Sequence, residues 1–220
     1  MLTMMSRRFV ALSAGLGAAI LLTGQLIAGA PGPQAASPQA VFDRAVADFL
    51  GGRVAESVVG FDTLARLEPA RAPQLWQRGI ALYYVGRYQD CRSQFESHRT
   101  VNPNDVENAA WHFLCVARAE SPARAKAALL PVGPDARSPM RQVYEMFRGD
   151  LKPDAVMAAA GARPDAQFYA HLYIGLYAEA IGDTALALEH IKAAADDRYV
   201  MGGYMHTVAK IHLTYLQRAR

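Results

Sequence analysis

Apolar residues recur at a helical spacing of three or four along most of this chain. The first such segment carries Phe42, Val46 and Phe49, and the next carries Val58 and Phe61. Between the segments lie short stretches of glycine, proline and polar residues, which are typical of turns. Nowhere does a strict alternation of apolar and polar residues indicate a β-strand. The pattern therefore predicts an all-α protein of about eleven helices.

Two of the predicted helix pairs are related by a shift of 34 positions. The matching residues are small, aromatic or proline, and the pairs are Ala45 with Gly79, Gly52 with Gly86, Ser57 with Cys91, Phe61 with Phe95, and Pro69 with Pro103. This is the period of the tetratricopeptide repeat (TPR), a helix–turn–helix unit. Small residues such as Gly79 let paired helices approach, Gly86 permits the turn, and Pro103 is expected to end the second helix.

The repeat is degenerate in the middle of the chain and recovers towards the end. Helices are predicted at Met140–Arg148, closed by Gly149, and at Pro153–Ala160, closed by Gly161. Other predicted features are a helix start at Asn104-Asp105, a helix from Ser121-Pro122 to Leu130, recovered repeat glycines at Gly175 and Gly182, and a last helix near Tyr204–Gln217. Because the last helix ends in polar residues, it is predicted to cap the array. We expect a TPR-like superhelix of antiparallel helix pairs over residues 39–220.

The N-terminus has the layout of an export signal. Arg7 and Arg8 precede an apolar segment of 22 residues, Phe9–Ala30. Residues 28–30 form a small-x-small cleavage site, but the proline that follows obstructs the peptidase, and the segment is long enough to span a bilayer. A cleaved signal peptide and an uncleaved anchor therefore both remain open for residues 1–30. A linker is predicted over residues 31–38, and the body is expected to be periplasmic or anchored in the inner membrane.

Charge and cysteine content narrow the function classes. The formal net charge is +3, and two of these charges belong to Arg7 and Arg8. Since the body has no run of basic residues, nucleic acid is not an expected partner.

The two cysteines, Cys91 and Cys115, could pair in an oxidising compartment. However, Cys91 occupies a small-residue position and Cys115 lies in an apolar helix, so two buried free thiols are the favoured interpretation.

A candidate surface for a protein partner lies on the helix that begins near Leu75. Its residues are aromatic or apolar and share one helix face, with lower-ranked extensions on later helices: Trp76, Ile80, Tyr83 and Tyr84, extended by Trp111, His112 and Tyr169. In a TPR stack this face points into the concave groove, and tryptophan and tyrosine often anchor interfaces. Cover by a neighbouring helix of the same chain is the alternative, and the pattern does not separate the two.

Metal and catalytic motifs are sparse. His112 and Cys115 are spaced i, i+3 on one helix, but no second pair with ligand spacing accompanies them. The sequence also has no His-Glu-x-x-His motif, no Gly-x-Ser-x-Gly motif and no glycine-rich phosphate loop. We therefore expect no metal, no cofactor and no enzymatic activity. A metal-dependent binder or enzyme using His112 and Cys115, and a self-assembling structural subunit, are the alternatives.

The chain resembles the NlpI family of bacterial TPR lipoproteins. The resemblance covers roughly Leu75 to Leu216 and is carried by the run Arg78–Tyr84, then Gly86-Arg87, Pro103-Asn104-Asp105 and Trp111. It implies an envelope protein whose TPR surface docks peptidoglycan hydrolases and a tail-specific protease and is itself not catalytic. Gln25 stands where the lipoproteins carry their lipid-bearing cysteine, which excludes lipidation there. The N-terminal region that is associated with dimerisation in the family is also shorter, so the oligomeric state stays open.

Overall fold

The computed structural model of the protein describes residues 36–218. The predicted signal or anchor segment and most of the linker lie outside these residues. Within residues 36–218 the chain forms eleven α-helices and two 3₁₀ helices and no strand, which confirms the all-α prediction. The elements are α1 (Pro38–Leu50), α2 (Val54–Leu67), η1 (Pro69–Gln74), α3 (Trp76–Tyr84), α4 (Tyr88–His98), α5 (Val106–Ala119), α6 (Pro122–Ala127), α7 (Met140–Arg148), α8 (Pro153–Ala160), α9 (Pro164–Ile181), α10 (Thr184–Ala194), η2 (Asp197–Gly202) and α11 (Tyr204–Arg218).

Consecutive helices pack against each other as pairs. The main pairs are α1 with α2, α3 with α4, and α9 with α10, while α2 with α3 and α4 with α5 join neighbouring pairs. Each helix buries an apolar stripe against its partner, since a single amphipathic helix cannot bury that stripe alone. The packed helix pairs agree with the sequence pattern.

Two glycines lie where paired helices come closest. A Cβ atom on Gly79 of α3 would be 2.6 Å from Phe95 Cε2 of α4, and one on Gly175 of α9 would be 2.6 Å from Ile191 Cγ1 of α10. Larger residues at these positions would push the paired helices apart. The same close approach therefore occurs in two separate helix pairs.

Local sequence features mark several helix ends. Asp105 caps α5 by accepting a hydrogen bond from the Glu107 amide at 3.0 Å, and Ser121 caps α6. Helix α7 ends at Gly149, whose φ of +89° lies in the left-handed region that glycine tolerates. Both α7 and α8 have the predicted bounds, whereas α6 ends at Ala127, before the predicted Leu130.

Pro103 does not end α4, contrary to the prediction. The helix ends at His98, and its last carbonyl oxygens accept hydrogen bonds from the amides of residues 99–102. These bonds close the helix before the proline is reached. Pro103 instead lies in the turn before α5, where its carbonyl oxygen accepts a hydrogen bond from the Gly133 amide at 3.0 Å.

The preferred prediction of two free thiols is also wrong. Cys91 of α4 and Cys115 of α5 form a disulfide bond, with their Cα atoms 5.8 Å apart. Both cysteines are fully buried. The small-residue position of Cys91 faces α5, so the packing of α4 on α5 brings the two sulfurs together. The bond joins two consecutive helix pairs.

The last helix, α11, packs on α10 and also returns to the first helices of the described chain. Tyr204 stacks on Phe49 of α1, with ring centroids 5.0 Å apart, and its ring meets the edge of Trp76 of α3 at the same distance. Further along α11, His212 Nδ1 lies 3.2 Å from the Tyr84 hydroxyl. The predicted terminal cap is therefore also a cover over α1 and α3.

None of the helices within residues 36–218 is both long enough and apolar enough to cross a membrane. The apolar segment Phe9–Ala30, for which a signal peptide or an anchor is predicted, lies outside these residues. The structure therefore does not test the prediction of a signal peptide or an anchor.

Candidate functional site

A cavity of about 330 Å³ lies where α3, α4 and α5 meet α9, η2 and α11. We call it the aromatic cavity. Its lining combines aromatic rings with a few polar and acidic side chains: Trp76, Ile80, Phe95, His98, Asp105, Glu107, Asn108, Trp111, Tyr169, Gly202, Tyr204 and Met205. Its volume falls at the lower end of the range for small-ligand sites, about 300 to 1,000 Å³.

The structure divides the predicted partner surface into two groups. Trp76, Ile80, Trp111 and Tyr169 line the aromatic cavity, although they come from three different helices. The other two predicted residues, Tyr83 and Tyr84, lie outside the cavity lining and are covered by α11. Of the residues predicted to anchor a partner, Ile80, Tyr83 and Trp111 are at most 1% exposed.

For Tyr83 and Tyr84 the structure shows the alternative that the sequence left open, cover by a helix of the same chain. The Tyr83 ring packs 6.3 Å from Tyr215 of α11, and the Tyr84 ring lies 5.9 Å from the same residue. A partner could reach Tyr83 only if α11 moved away. The expectation that Tyr83 faces a partner is therefore corrected, because its side chain is fully buried. Tyr84 stays partly exposed and lines a second cavity together with Ile211 and Tyr215 of α11, so its predicted partner role stays a prediction.

Asn108 and Tyr204 line the cavity but carry no prediction from the sequence. Asn108 is a polar residue on α5, where its neighbours Val106 and Ala109 are buried. A polar residue within an apolar helix face is a sign of a satisfied hydrogen bond or a binding site, and this sign could have been read. Tyr204 reaches the cavity only because α11 returns to α3, and local sequence does not reveal that.

Three lining residues have buried polar atoms with no hydrogen-bond partner among the described residues. These atoms are both amide atoms of Asn108, the indole Nε1 of Trp111 and the hydroxyl of Tyr204. Asn108 is 2% exposed and Trp111 is 1% exposed. An unpaired buried polar group costs about 1 to 3 kcal/mol of stability. These atoms have almost no accessible surface, so a molecule in the cavity would not touch them without a movement of the lining.

One wall of the cavity is acidic. Asp105 and Glu107 line it, and both accept hydrogen bonds from Arg137, at 2.7 and 2.5 Å. Glu107 also accepts a hydrogen bond from the Tyr173 hydroxyl at 2.5 Å. Burial, followed by the nearby Asp105 carboxylate, raises the pKa of Glu107.

Arg137 does not itself line the cavity. Among the described residues that line it there is neither a lysine nor an arginine, so the charged groups of the wall are the two carboxyls. Arg137 pairs with both of them and offsets part of their negative charge.

His112 and Cys115, the candidate metal pair, do not form a metal site together. Cys115 is bonded to Cys91, so it has no thiolate to offer. His112 is buried, its Nε2 lies 3.3 Å from Glu96 Oε1, and burial lowers its pKa. Within residues 36–218 no group of three or more histidine, cysteine, aspartate or glutamate residues could hold a metal ion.

No protein-family model matches this chain, and a search of curated proteins found no match. The resemblance to the NlpI lipoproteins consequently stands on the residues quoted above. For this protein, function has to be argued from the aromatic cavity and its surroundings.

Proposed function

We propose that this protein is an exported, non-catalytic TPR-type scaffold that docks partner proteins in the bacterial envelope. The observation that carries the proposal is the aromatic cavity, which has exposed apolar residues beside it. A scaffold needs such an accessible site because its packed helix faces are already used within the chain.

The apolar residues beside the cavity belong to η2. Val200 and Met201 are 69% and 55% exposed, and they directly precede Gly202, which lines the cavity. Adjacent exposed apolar side chains next to an aromatic-lined depression are typical of a protein-binding surface. We call Val200 and Met201 the apolar rim, and we propose that a partner protein covers it.

Two features support the exported location. The apolar segment that follows Arg7 and Arg8 has the composition of a signal or an anchor. The disulfide bond between Cys91 and Cys115 belongs in an oxidising compartment, since cytosolic thiols are generally kept reduced. The two features are independent, because one lies in the N-terminal segment and the other in the helical body.

The partner class comes from the family resemblance, which implies peptidoglycan hydrolases and a protease. The competing hypothesis of a metal-dependent binder or enzyme that uses His112 and Cys115 together loses the thiolate of Cys115, which is bonded to Cys91. A self-assembling subunit is the remaining competitor, and it differs from the scaffold in needing no second protein.

Affinity capture from the native envelope, followed by mass spectrometry, tests the proposal. We expect the wild-type chain to retain an envelope enzyme that the Val200→Asp variant loses, because a carboxylate on the rim opposes apolar burial. Val59→Asp is the matched control, since Val59 of α2 is 66% exposed and lies away from the cavity lining. This control should retain the enzyme.

Two results would contradict the scaffold. One is capture of no envelope protein by the wild type, and the other is equal loss in both aspartate variants. A molecular mass that rises with protein concentration, with no second protein captured, would favour the self-assembling subunit.

A further inference from the structure

Two histidines on the packed helices α9 and α10 lie side by side. The Nδ1 atom of His171 is 3.1 Å from the Nδ1 atom of His190, and the ring centroids are 5.0 Å apart. His171 lies one helical turn before Gly175, and His190 directly precedes Ile191, the residue against which Gly175 packs. The close approach of the two helices at that glycine therefore brings the two rings together.

The pair differs from the other histidines of the chain. Each of the other four is buried and lies within hydrogen-bond distance of a carbonyl, carboxylate or hydroxyl oxygen: His98, His112, His206 and His212. Only His171 and His190 face each other, nitrogen to nitrogen. His171 is partly exposed and His190 is 8% exposed, so the pair lies close to the surface of the protein.

The distance between the two Nδ1 atoms suits a shared metal ion. A divalent transition-metal ion binds an imidazole nitrogen at about 2.0 to 2.1 Å. Two such nitrogens on one ion are then about 2.9 Å apart at a right angle and about 3.3 Å apart at the tetrahedral angle. The observed 3.1 Å lies between these values. The two nitrogens therefore already have the separation that one shared ion requires.

Both rings are neutral at pH 7, which is the form that binds a metal ion. Burial, followed by the nearby His190 and Arg198, lowers the pKa of His171 to about 4, and burial also lowers the pKa of His190. In the metal-free chain one Nδ1–H donates a hydrogen bond to the other Nδ1. When an ion binds both Nδ1 atoms, that proton moves to Nε2 of the same ring, so neither ring changes its charge.

The charged groups near the pair favour a cation. Glu189 and Asp154 are exposed, and their carboxylates oppose the lowering of the pKa of His190. Glu189 does the same for His171, whereas the Arg198 guanidinium acts in the other direction. Two carboxylates against one guanidinium leave a net negative charge beside the rings, which attracts a divalent cation. Imidazole suits Cu²⁺, Ni²⁺ and Zn²⁺, and among these Cu²⁺ binds most tightly.

We propose that His171 and His190 form a two-histidine site for a divalent transition-metal ion, Cu²⁺ in particular, bound through both Nδ1 atoms. Because no third ligand joins them within residues 36–218, the other coordination positions are filled by water or by a group from another molecule. Neither histidine lines the aromatic cavity or belongs to the apolar rim. The metal site is therefore independent of the proposed scaffold.

Metal titration of the full-length chain, kept in detergent and first treated with a chelator, tests this site. Equilibrium dialysis near pH 7 should find one Cu²⁺ bound per chain, Zn²⁺ bound at least about tenfold more weakly, and no competition from Mg²⁺ or Ca²⁺. His171→Gln and His190→Gln should each weaken Cu²⁺ binding about tenfold or more. His112→Gln is the matched control, because it also removes a histidine but leaves the pair intact, and it should bind like the wild type.

The ring nitrogens of the wild-type chain give a second measurement. Zn²⁺ is diamagnetic, so ¹⁵N NMR of histidine-labelled protein can follow which nitrogen of each ring carries the proton. Without metal, one ring of the pair should carry its proton on Nδ1. With saturating Zn²⁺, both His171 and His190 should carry it on Nε2, while His112 should keep its tautomer.

Three results would overturn the inference. These are no saturable Cu²⁺ binding by the wild type, equal affinities of His171→Gln and His112→Gln, and unchanged tautomers of His171 and His190 in saturating Zn²⁺. The first and third use the wild-type chain, so they decide the question even if a variant fails to fold. Cu²⁺ binding that depends on both histidines, with no envelope protein captured, would support the metal site and reject the scaffold.

Discussion

The Tyr83 hydroxyl donates a hydrogen bond to Glu179 Oε2 across 2.7 Å, although the two residues are 96 positions apart. This contact joins α3 to α9, and Arg118 Nη1 of α5 binds the other carboxylate oxygen of Glu179 at 3.1 Å. Burial raises the pKa of Glu179, and burial together with Glu179 raises the pKa of Tyr83 well above its ordinary value. Three helices therefore meet at one buried carboxyl group.

Tyr83→Phe should destabilise the fold by about 1 to 3 kcal/mol, because Glu179 loses a buried donor. Tyr83→Ala should cost more, about 3 to 5 kcal/mol, since it also leaves a cavity at a fully buried position. Urea denaturation measures both. Tyr144→Phe, which removes the hydroxyl of a half-buried tyrosine on α7, is the control and should change stability little. A Tyr83→Ala variant that melts like the wild type would show that α11 does not cover this face.

Gly79→Ala should destabilise the protein by about 1 to 3 kcal/mol, because its new Cβ would lie 2.6 Å from Phe95 Cε2. Adding Phe95→Leu to Gly79→Ala makes room for the methyl group. A double-mutant cycle should therefore show that the two changes together cost less than the sum of the single costs. Simple additivity of the two costs would mean that α3 and α4 are not in close contact at Gly79.

Removal of the disulfide bond should lower the free energy of unfolding by about 2 to 4 kcal/mol. The cysteines are 24 positions apart, so the bond closes a loop of moderate length in the unfolded chain. The Cys91→Ala, Cys115→Ala double variant and the reduced wild type should therefore show similar losses. Thiol titration of the denatured, unreduced protein gives the direct check and should find no free thiol, whereas two titratable thiols would contradict the bond.

The free energy of unfolding should already fall at pH values well above the ordinary pKa of carboxyl groups. Burial lowers the pKa of His212 to about 3 and that of His171 to about 4. The unfolded chain protonates these histidines near pH 6.5 and the folded chain does not, so stability falls as the pH drops from about 6.5 towards 3. Each histidine contributes a limiting slope of about 1.4 kcal/mol per pH unit.

Glu107 and Glu179 act in the opposite direction. Their pKa values are raised by burial, so the folded state takes up their protons first and gains stability as the pH falls through those values. His212→Gln isolates the histidine contribution and should flatten the plot of unfolding free energy against pH between 6.5 and 3. His171→Gln should flatten it only down to about pH 4. An unchanged slope in both variants would mean that these histidines titrate alike in the folded and unfolded states.

Much of the helical architecture could be predicted from local sequence features. Gly149 and Gly161 end α7 and α8 where the pattern predicts, because the ends of a helix depend on a few neighbouring residues. The 34-residue offset likewise predicted packed helix pairs, because it repeats the apolar stripe that each pair must bury. Pro103 shows the limit of such reasoning, because α4 had already closed its last turn at His98.

The sequence predicted only part of the candidate site. Trp76, Ile80, Trp111 and Tyr169 were singled out by residue type and helix face, and the structure brings them into one cavity. Asn108 has no distinctive spacing, and only its polarity beside the buried residues Val106 and Ala109 marks it in the sequence.

The sequence by itself determined that most of the chain between residues 38 and 218 is helical and that small residues recur where paired helices approach, because both depend on interactions between near neighbours. Only the tertiary structure decided that Cys91 pairs with Cys115 and that α11 covers α3. The contact between Tyr84 and His212 spans 128 positions. Contacts of that separation leave no periodic trace along the chain, since they arise from the burial of all helices at once. The contact of Tyr204 of α11 with Trp76 of α3 is also of this kind, and both residues line the aromatic cavity.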